Sequence, residues 1–598
     1  MNWSQELMDS AWWIGRAFLI SSVFLVVTGF ILIKTTRWAS QFWSLAGHYF
    51  NPKKKPLTIV TFVIILLLSL AGVRINVLFS NWYNTMYTAL QKLDANAFWI
   101  QMGVFAVLAT IHVSRILLAY YLQQRFEIKW RETMNEEMLS RWLDKKSYYR
   151  SYYLKSPIDN PDQRIQQDVI QFAQLSLELT LGVISSLVSA VAFTLILWNL
   201  SGDLPIFGVV IPRGMVFMLF IYVLITTFLA FRIGRPLIQL NFLNERLNAN
   251  YRYSLIRVRE YAESIAFYAG EKIESNRLTR RFKEVIENMW GIVHRSLKFQ
   301  GFNLIVSQTA LVFPFIIQAP RFFAGKLELG GMVQTAQAFS NLLDNLSFFR
   351  TAYDSFAQYR AVLDRLTGFH HNIDEADNLP LPNVRANGGE LSLNKVSIST
   401  PAGRELVKEV SFRLNAGDAL LIQGPSGSGK TTLLRTIAGL WPYSQGEVVR
   451  PDKEVLFLSQ KPYLPEGRLI DALYYPDVPP PDALEQAKHV MDKVHLAHLA
   501  GRLSEVLNWT HMLSVGEQQR VAFARILLTK PKVVFMDEAT AAMDEGLEFA
   551  MYKLLRETYP SMRIVSVGHR STLLVHHTHV LQIHPEGGWT LQETPHQG

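Results

Sequence analysis

Six stretches of the chain are almost unbroken runs of apolar residues: 12–33, 57–80, 98–122, 174–200, 206–231 and 302–322. Each is close to the ~20 residues that a helix needs to cross hydrocarbon, so each predicts a membrane span. A seventh stretch, 331–356, is more polar. There Gln337, Asn341, Asp344, Ser347, Thr351, Asp354 and Gln358 recur at steps of three or four, which places them on one face of a helix. Such a face is costly against lipid and is predicted to meet protein or a water-filled cavity. Gln337, Asn341, Asp344, Ser347 and Thr351 are therefore candidate cavity residues; hydrogen bonding between helices is the alternative use of the stripe. Asn303, Gln308, Arg74, His112 and Arg115 add polar groups to other spans.

Between the spans, 123–173 and 232–300 carry dense charge at helical spacing. This predicts that the flanking spans continue as helices far into water. The remaining connections are short. Glu6 and Asp9, not a basic segment, precede the first apolar run, so it reads as a retained span rather than a cleaved leader. Lys34, Arg37 and Lys53-Lys54-Lys55 follow it and hold that side in the cytosol, with the N-terminus outside. An interfacial first helix would leave six crossings and the same cytosolic C-terminal part.

Beyond about residue 376 the pattern shortens, with Pro380, Pro382 and Gly389 as punctuation, and the runs 390–397, 406–414 and 419–423 read as strands. The predicted organisation is 1–55 as an extra N-terminal span and basic linker, and 56–370 as a transmembrane domain with long cytosolic helices. A linker at 371–389 and a soluble α/β domain at 390–598 follow.

The soluble part carries the clearest chemistry. Gly424-Pro425-Ser426-Gly427-Ser428-Gly429-Lys430-Thr431 follows a strand and, with Thr432, opens a helix, a full match to G-x-x-x-x-G-K-[ST]. Glycines let the backbone approach phosphates, and successive N–H groups at the helix start form an anion cradle. Lys430 is placed for the β and γ phosphates of ATP and the Thr431 hydroxyl for Mg²⁺. The apolar run 533–536 ends in Asp537 and Glu538, the expected site of a carboxylate for Mg²⁺ and a neighbour that polarises the attacking water.

Composition then removes classes. Hydrophobic residues are 49% of the 598 and charged ones 18%, so disorder and fibrous repeats are excluded. The mean hydropathy of +0.11 is the average of a membrane part and a water-soluble part. The net charge of +9 comes largely from Lys and Arg that flank spans, and no recognition motif accompanies it, so nucleic acid is not an expected partner. No cysteine is present, which excludes disulfides, thiolate nucleophiles and Cys-ligated zinc.

Gln460 after a strand, Leu513-Ser514-Val515-Gly516-Glu517-Gln518-Gln519-Arg520 before the acidic strand, and His569 after another strand complete an ordered set. With the P-loop and Asp537-Glu538 they resemble the Q-loop, signature and switch histidine of ABC-transporter ATPases. The resemblance covers the whole soluble half. It implies an α/β P-loop ABC ATPase domain fused to an exporter-like polytopic α-helical membrane domain of six core spans plus one extra N-terminal span. It further implies ATP contacts from Gln460, Ser514, Gly516 and Glu517, Mg²⁺ contacts from Thr431, Gln460 and Asp537, and hydrolysis promoted by Glu538 with His569. In this family the signature of one ATPase domain caps the γ-phosphate held by another, and one chain carries one domain, so a homodimer is expected. Val515 and Glu517 depart from the usual Leu-Ser-Gly-Gly-Gln, Ala541-Ala542-Met543-Asp544 from Ser-Ala-Leu-Asp, and no aromatic residue for adenine stacking stands between 391 and 411.

In the membrane part, Asn160-Pro161-Asp162-Gln163-Arg164-Ile165 and Glu263-Ser264-Ile265-Ala266-Phe267-Tyr268-Ala269-Gly270 resemble motifs shared by SbmA/BacA-type peptide transporters and the peroxisomal acyl-CoA ABC transporters. Over nearly the full length the chain is similar to SbmA/BacA-like transporters with a fused ATPase, a group that includes mycobacterial vitamin B12 and bleomycin transporters. This implies ATP-driven uptake of hydrophilic solutes, such as cobalamin or antimicrobial peptides, across the bacterial inner membrane without a dedicated binding protein. A lipid or acyl-CoA transporter and a non-transporting sensory ATPase remain alternatives.

Overall fold

The computed structural model describes residues 3–51, 53, 55–157, 160–202, 204–206, 209–387 and 389–594. Lys54 of the basic cluster, and the side chains of Thr351 and Asp354 in the polar stripe, lie outside the described residues. The chain divides into two units: Met1–Asp144 with Asp159–His371, and Lys145–Ile158 with Asn372–Gly598.

The first unit is helical. Its elements are α1 (Trp3–Thr35), α2 (Arg37–Ala46), α3 (Pro56–Gln91), α4 (Ala95–Leu143), α5 (Val169–Leu200), α6 (Gly214–Glu260), α7 (Ala262–Phe267), α8 (Glu271–Phe323) and α9 (Leu329–Asp377). Among the described residues six helices are long and apolar enough to cross a membrane: α1, α3, α4, α5, α6 and α8. The seventh expected span is α9, whose polar stripe lowers its hydropathy. Its opposite face is apolar, and Ala338, Phe339 and Leu342 are fully buried against Phe193, Leu197 and Leu219 of α5 and α6. At 1.5 Å per residue, the 47, 53 and 49 residues of α6, α8 and α9 exceed the hydrocarbon thickness, as the charged continuations predicted.

The span expected at 206–231 starts later than its hydropathy suggests. Leu204–Ile206 and Val209–Ile211 pair as an antiparallel hairpin, and α6 begins only at Gly214. Pro205 and Pro212 cannot donate within a helix, and the β-branched Val209, Val210 and Ile211 between them favour extended backbone. The apolar run at the N-terminus is helix α1, held to α3 by Arg74. That guanidinium donates to Glu6 Oε1 at 2.7 Å and Ser10 Oγ at 3.1 Å and lies over the Trp13 ring. The outer face of α1 presents Leu19, Ile20, Val26 and Phe30, the surface a span offers to lipid.

In the second unit a mostly parallel sheet runs in the order Trp589–Glu593, His579–Ile583, Ala419–Gln423, Arg563–Val567, Val533–Asp537, Val455–Leu458. A second sheet orders Val384–Ala386, Ser444–Arg450, Leu391–Ser399 and Glu405–Leu414. Ala419, Leu420, Leu421 and Ile422 are all fully buried, the unbroken apolar run expected of a strand covered on both faces. Phe412, buried in this core, is a strand residue, as its place in the pattern suggested.

Candidate functional site

Four adjacent parallel strands deliver the predicted nucleotide residues at their C-terminal ends, the position where open α/β sheets bind ligands. The P-loop leaves Ala419–Gln423, Gln460 follows Val455–Leu458, Asp537 and Glu538 end Val533–Asp537, and His569 follows Arg563–Val567. Sequence spacing of more than a hundred residues therefore becomes side-chain contact.

Gly424, Gly427 and Gly429 have φ of +151°, +79° and +99°, backbone that other residues adopt only with strain. A Cβ on Gly424 would also stand 2.4 Å from the Ile583 carbonyl oxygen. The loop ends at Gly429, from which the helix Lys430–Ile437 starts. The Lys430 ammonium donates to the carbonyls of Gly424 and Pro425 at 2.8 and 2.9 Å, and burial pushes its pKa down. Pro425, Ser426 and Thr432 lie in or beside the loop. Ser428 Oγ is buried and has no protein partner among the described residues, an orphan donor that a phosphate oxygen would satisfy.

Thr431 Oγ1 donates to Asp537 Oδ1 at 3.0 Å. Burial raises the Asp537 pKa, as does the neighbouring Glu538 charge, so an added cation would be welcome here. The paired Thr431 hydroxyl and Asp537 carboxylate are oxygen donors of the kind that fit Mg²⁺, and Gln460 carries a further amide oxygen on the neighbouring loop.

Glu538 sits at φ +49° and is turned back into the site. Gln460 Nε2 donates to Glu538 Oε2 at 2.8 Å, and His569 Nε2 stands 3.3 Å from Glu538 Oε1. One carboxylate is thus gripped from both sides. Beneath it Gln519, 2% exposed, donates to the Gln460 carbonyl at 3.1 Å while its own oxygen accepts from Ala542 N at 2.9 Å. Gln519 was not singled out from sequence; its place in the signature was the available signal.

The signature helix Val515–Thr529 is capped by Ser514, whose Oγ and N both donate to Glu517 Oε2 at 2.8 and 2.9 Å. His498 Nε2 lies 3.0 Å from Glu517 Oε1. Burial opposes ionisation of Glu517, yet the bonds from Ser514 and His498 outweigh it and hold the carboxyl below its usual range. Gly516 approaches the Ala542 carbonyl closely, at 3.1 Å for an added Cβ. The side-chain bonds found for Ser514 and Glu517 join them to each other and to His498; among the described residues none reaches the P-loop. Aliphatic Leu406 and Val407, not an aromatic ring, flank Gly429.

The loop segment after α4 belongs to the same unit. Tyr443 Oη donates to the Tyr153 carbonyl at 3.1 Å, and the Tyr153 ring meets Trp441 edge-on at 5.1 Å. Arg150 donates to the Leu379 carbonyl and Ser147 to the Asp377 carboxylate. Aromatic pairing across distant sequence left no signal in the pattern.

In the membrane unit the polar residues of α9 separate into two uses. Gln334 accepts from Asn84 and donates to Asn81 at 2.9 Å, and Gln318 reaches Thr335 at 3.3 Å, which ties helices together. Gln337 and Asn341 instead line a cavity of about 300 Å³ with Asn76, Ser80, Tyr83 and two phenylalanines. Asp344, exposed, and Ser347, half-buried, follow on α9.

Residues 45–323 match the family described as ABC transporter transmembrane region 2, and 407–541 match that described as ABC transporter. An uncharacterized ABC transporter ATP-binding protein of Haemophilus influenzae is 50% identical over 589 residues, 98% of this chain and 100% of the relative. The chain belongs to the ABC transporter family. As an ABC transporter it is a multi-pass membrane protein whose ATP-binding domain hydrolyses ATP coupled to transport. The human lysosomal cobalamin transporter ABCD4 is 27% identical, with 78% of this chain and 81% of that protein covered. A bacterial Atm1-family ABC exporter with ATP bound shares the fold at TM-score 0.67 and 18% identity, covering 91% of this chain and 96% of that one.

Proposed function

We propose that this ABC transporter imports hydrophilic solutes, cobalamin or antimicrobial peptides among them, as a homodimer in the bacterial inner membrane with its ATPase domains in the cytosol. The observation that carries the solute class is the neutral polar lining of the α9 cavity by Gln337 and Asn341 with Asn76, Ser80 and Tyr83. An acyl-chain carrier calls for an apolar lining instead. The similarity to ABCD4, named for cobalamin, supports the same class. No dedicated binding protein is part of this reading.

Two copies supply each other's missing parts. Ser514, Gly516 and Glu517 of one copy cap the nucleotide on the P-loop of the other, and the exposed Phe267 at the end of α7 and Tyr268 after it offer an aromatic tip for the second copy. Within each copy, the P-loop N–H groups, Ser428 and Lys430 bind and orient the phosphates. Thr431, Asp537 and Gln460 would hold Mg²⁺, which supplies neutralisation of phosphate charge when bound. Glu538 takes the proton of the attacking water, and Gln460 and His569 position its carboxylate.

The test is uptake into proteoliposomes with cobalamin, a cationic peptide and an acyl-CoA offered separately. ATP-dependent accumulation of either hydrophilic solute is expected. Stimulation by acyl-CoA alone would overturn the reading.

A further inference from the structure

Near its N-terminal end α9 is pressed directly against α3. A Cβ on Gly330 would stand 1.9 Å from the Asn84 carbonyl oxygen, so only glycine permits the approach. A bond donated by Asn84 to Gln334 and one donated by Gln334 to Asn81 seal this end. Further along, α3 and α9 together with Phe105 of α4 line the 300 Å³ cavity.

The lining is chemically specific. On α3, Asn76, Ser80 and Tyr83 follow at i, i+4 and i+7, and on α9, Gln337 and Asn341 follow at i, i+4. Phe79 and Phe105, 6.0 Å apart, close one wall. Every polar group in this lining is an amide or hydroxyl, without a charge among them.

Ser80 is the decisive residue. It is 2% exposed, and its Oγ has no hydrogen-bond partner among the described residues. Three other buried helical hydroxyls in this unit return to the carbonyl four residues earlier: Ser176 to Phe172, Thr226 to Tyr222, Thr335 to Gly331. Ser80 does not, although leaving a buried hydroxyl unpaired costs free energy. A group that enters the cavity with its own hydrogen-bonding atoms recovers that cost.

We propose that this pocket is a solute subsite for an uncharged amide, such as a stretch of peptide backbone or a carboxamide, held by Ser80, Gln337 and Asn341 beside the phenylalanine rings. An amide supplies a donor and an acceptor together, matching the mixed amide and hydroxyl lining, and its flat face packs on an aromatic ring. One turn beyond Asn341 on the same face stands Asp344, the one acid among the stripe residues 337–347, and it anchors a cationic group of the same solute. The subsite thus selects peptide-like solutes with a positive charge adjacent to the amide. This rests on the hydrophilic-solute reading above and narrows it.

The experiment uses the full-length protein in proteoliposomes. Its probes are a lysine-containing tetrapeptide amide, a lysine-free tetrapeptide amide with a blocked N-terminus, and an amide-free polyol of similar size, with cobalamin uptake followed in parallel. Both peptides are expected to stimulate ATP hydrolysis and the polyol to have no effect. Ser80→Ala and Gln337→Leu should each raise the half-stimulating concentration of both peptides about tenfold, whereas Asp344→Asn should raise it for the lysine peptide only. Ser80→Ala should leave the thermal midpoint unchanged or raised, since it removes an unpaired hydroxyl, so lost stimulation is not lost folding. Unchanged peptide dependence in Ser80→Ala and Gln337→Leu, or equal stimulation by the polyol, overturns the subsite while cobalamin uptake keeps the transport reading. Absence of uptake of every hydrophilic solute by the wild type overturns both.

Discussion

The amide of Gln460 donates to the carboxylate of Glu538 across 2.8 Å, although 78 residues separate them in sequence. From the neighbouring strand on the other side, His569 approaches the other oxygen of the same carboxylate. The loop after Val455–Leu458 and the segment after Arg563–Val567 therefore meet at one carboxylate, which on the proposed function is the base for the attacking water.

Replacing Glu538 with Gln keeps the shape and the Gln460 contact but removes the base. ATP hydrolysis should fall by about 10²–10⁴-fold with nucleotide binding retained. Paired measurements of turnover and equilibrium ATP binding check this; near wild-type turnover would show that another group takes the proton.

Gln519 is a buried strut below the site. Gln519→Leu leaves the Gln460 carbonyl and the Ala542 N–H without their partner, at a cost of about 1–3 kcal/mol. A lower thermal midpoint together with slowed hydrolysis is expected. Retained stability with normal turnover would show that the strut is dispensable.

On the proposed function, the carboxylate at Glu517 brings negative charge to the surface that caps a nucleotide. Glu517→Gln preserves an acceptor for Ser514 and removes that charge, so the apparent KM for ATP should fall. His498→Ala strips the neighbouring imidazole and should raise it. Steady-state ATP titrations of both variants decide the matter, and shifts in the same direction would refute a charge effect.

Tyr443→Phe deletes only the hydroxyl that holds the Tyr153 carbonyl, worth about 1 kcal/mol. Basal hydrolysis should persist, while stimulation by transported solute weakens, because Tyr153 belongs to the segment that continues α4. Measuring both rates on one preparation separates this from a general loss of activity.

His577 is fully enclosed, with Nδ1 2.7 Å from the Leu573 carbonyl and Nε2 2.9 Å from Ser566 Oγ, and burial drives its pKa down to about 4. The unfolded chain takes up this proton near pH 6.5 and the folded one only near 4. Stability is thus lost as pH falls between those values, by about 3 kcal/mol in full. Unfolding midpoints of the full chain in detergent from pH 7.5 to 5 should decline, and less steeply in His577→Gln. Parallel declines would assign the effect to other groups.

The apolar runs named the membrane helices because burial in lipid demands length and hydropathy, which are local properties. The ATP motifs were legible for a similar reason: phosphate cradles need glycine, lysine and hydroxyl residues at fixed spacing along one strand–loop–helix. The start of α6 was misread because the apolar run from residue 206 begins in a hairpin, and hydropathy does not distinguish strand from helix where two prolines intervene. The polar stripe of α9 was visible as a periodicity. Which polar residues of α9 tie neighbouring helices and which line a cavity was not: Gln334, one turn before the stripe, bonds to Asn81 and Asn84 of α3, whereas Gln337 lines the cavity. The grip on Glu538, the strut at Gln519 and the unpaired Ser80 likewise depend on strands and helices that pack from distant sequence. Local chemistry determined the parts of this transporter. Long-range packing decided which of them touch.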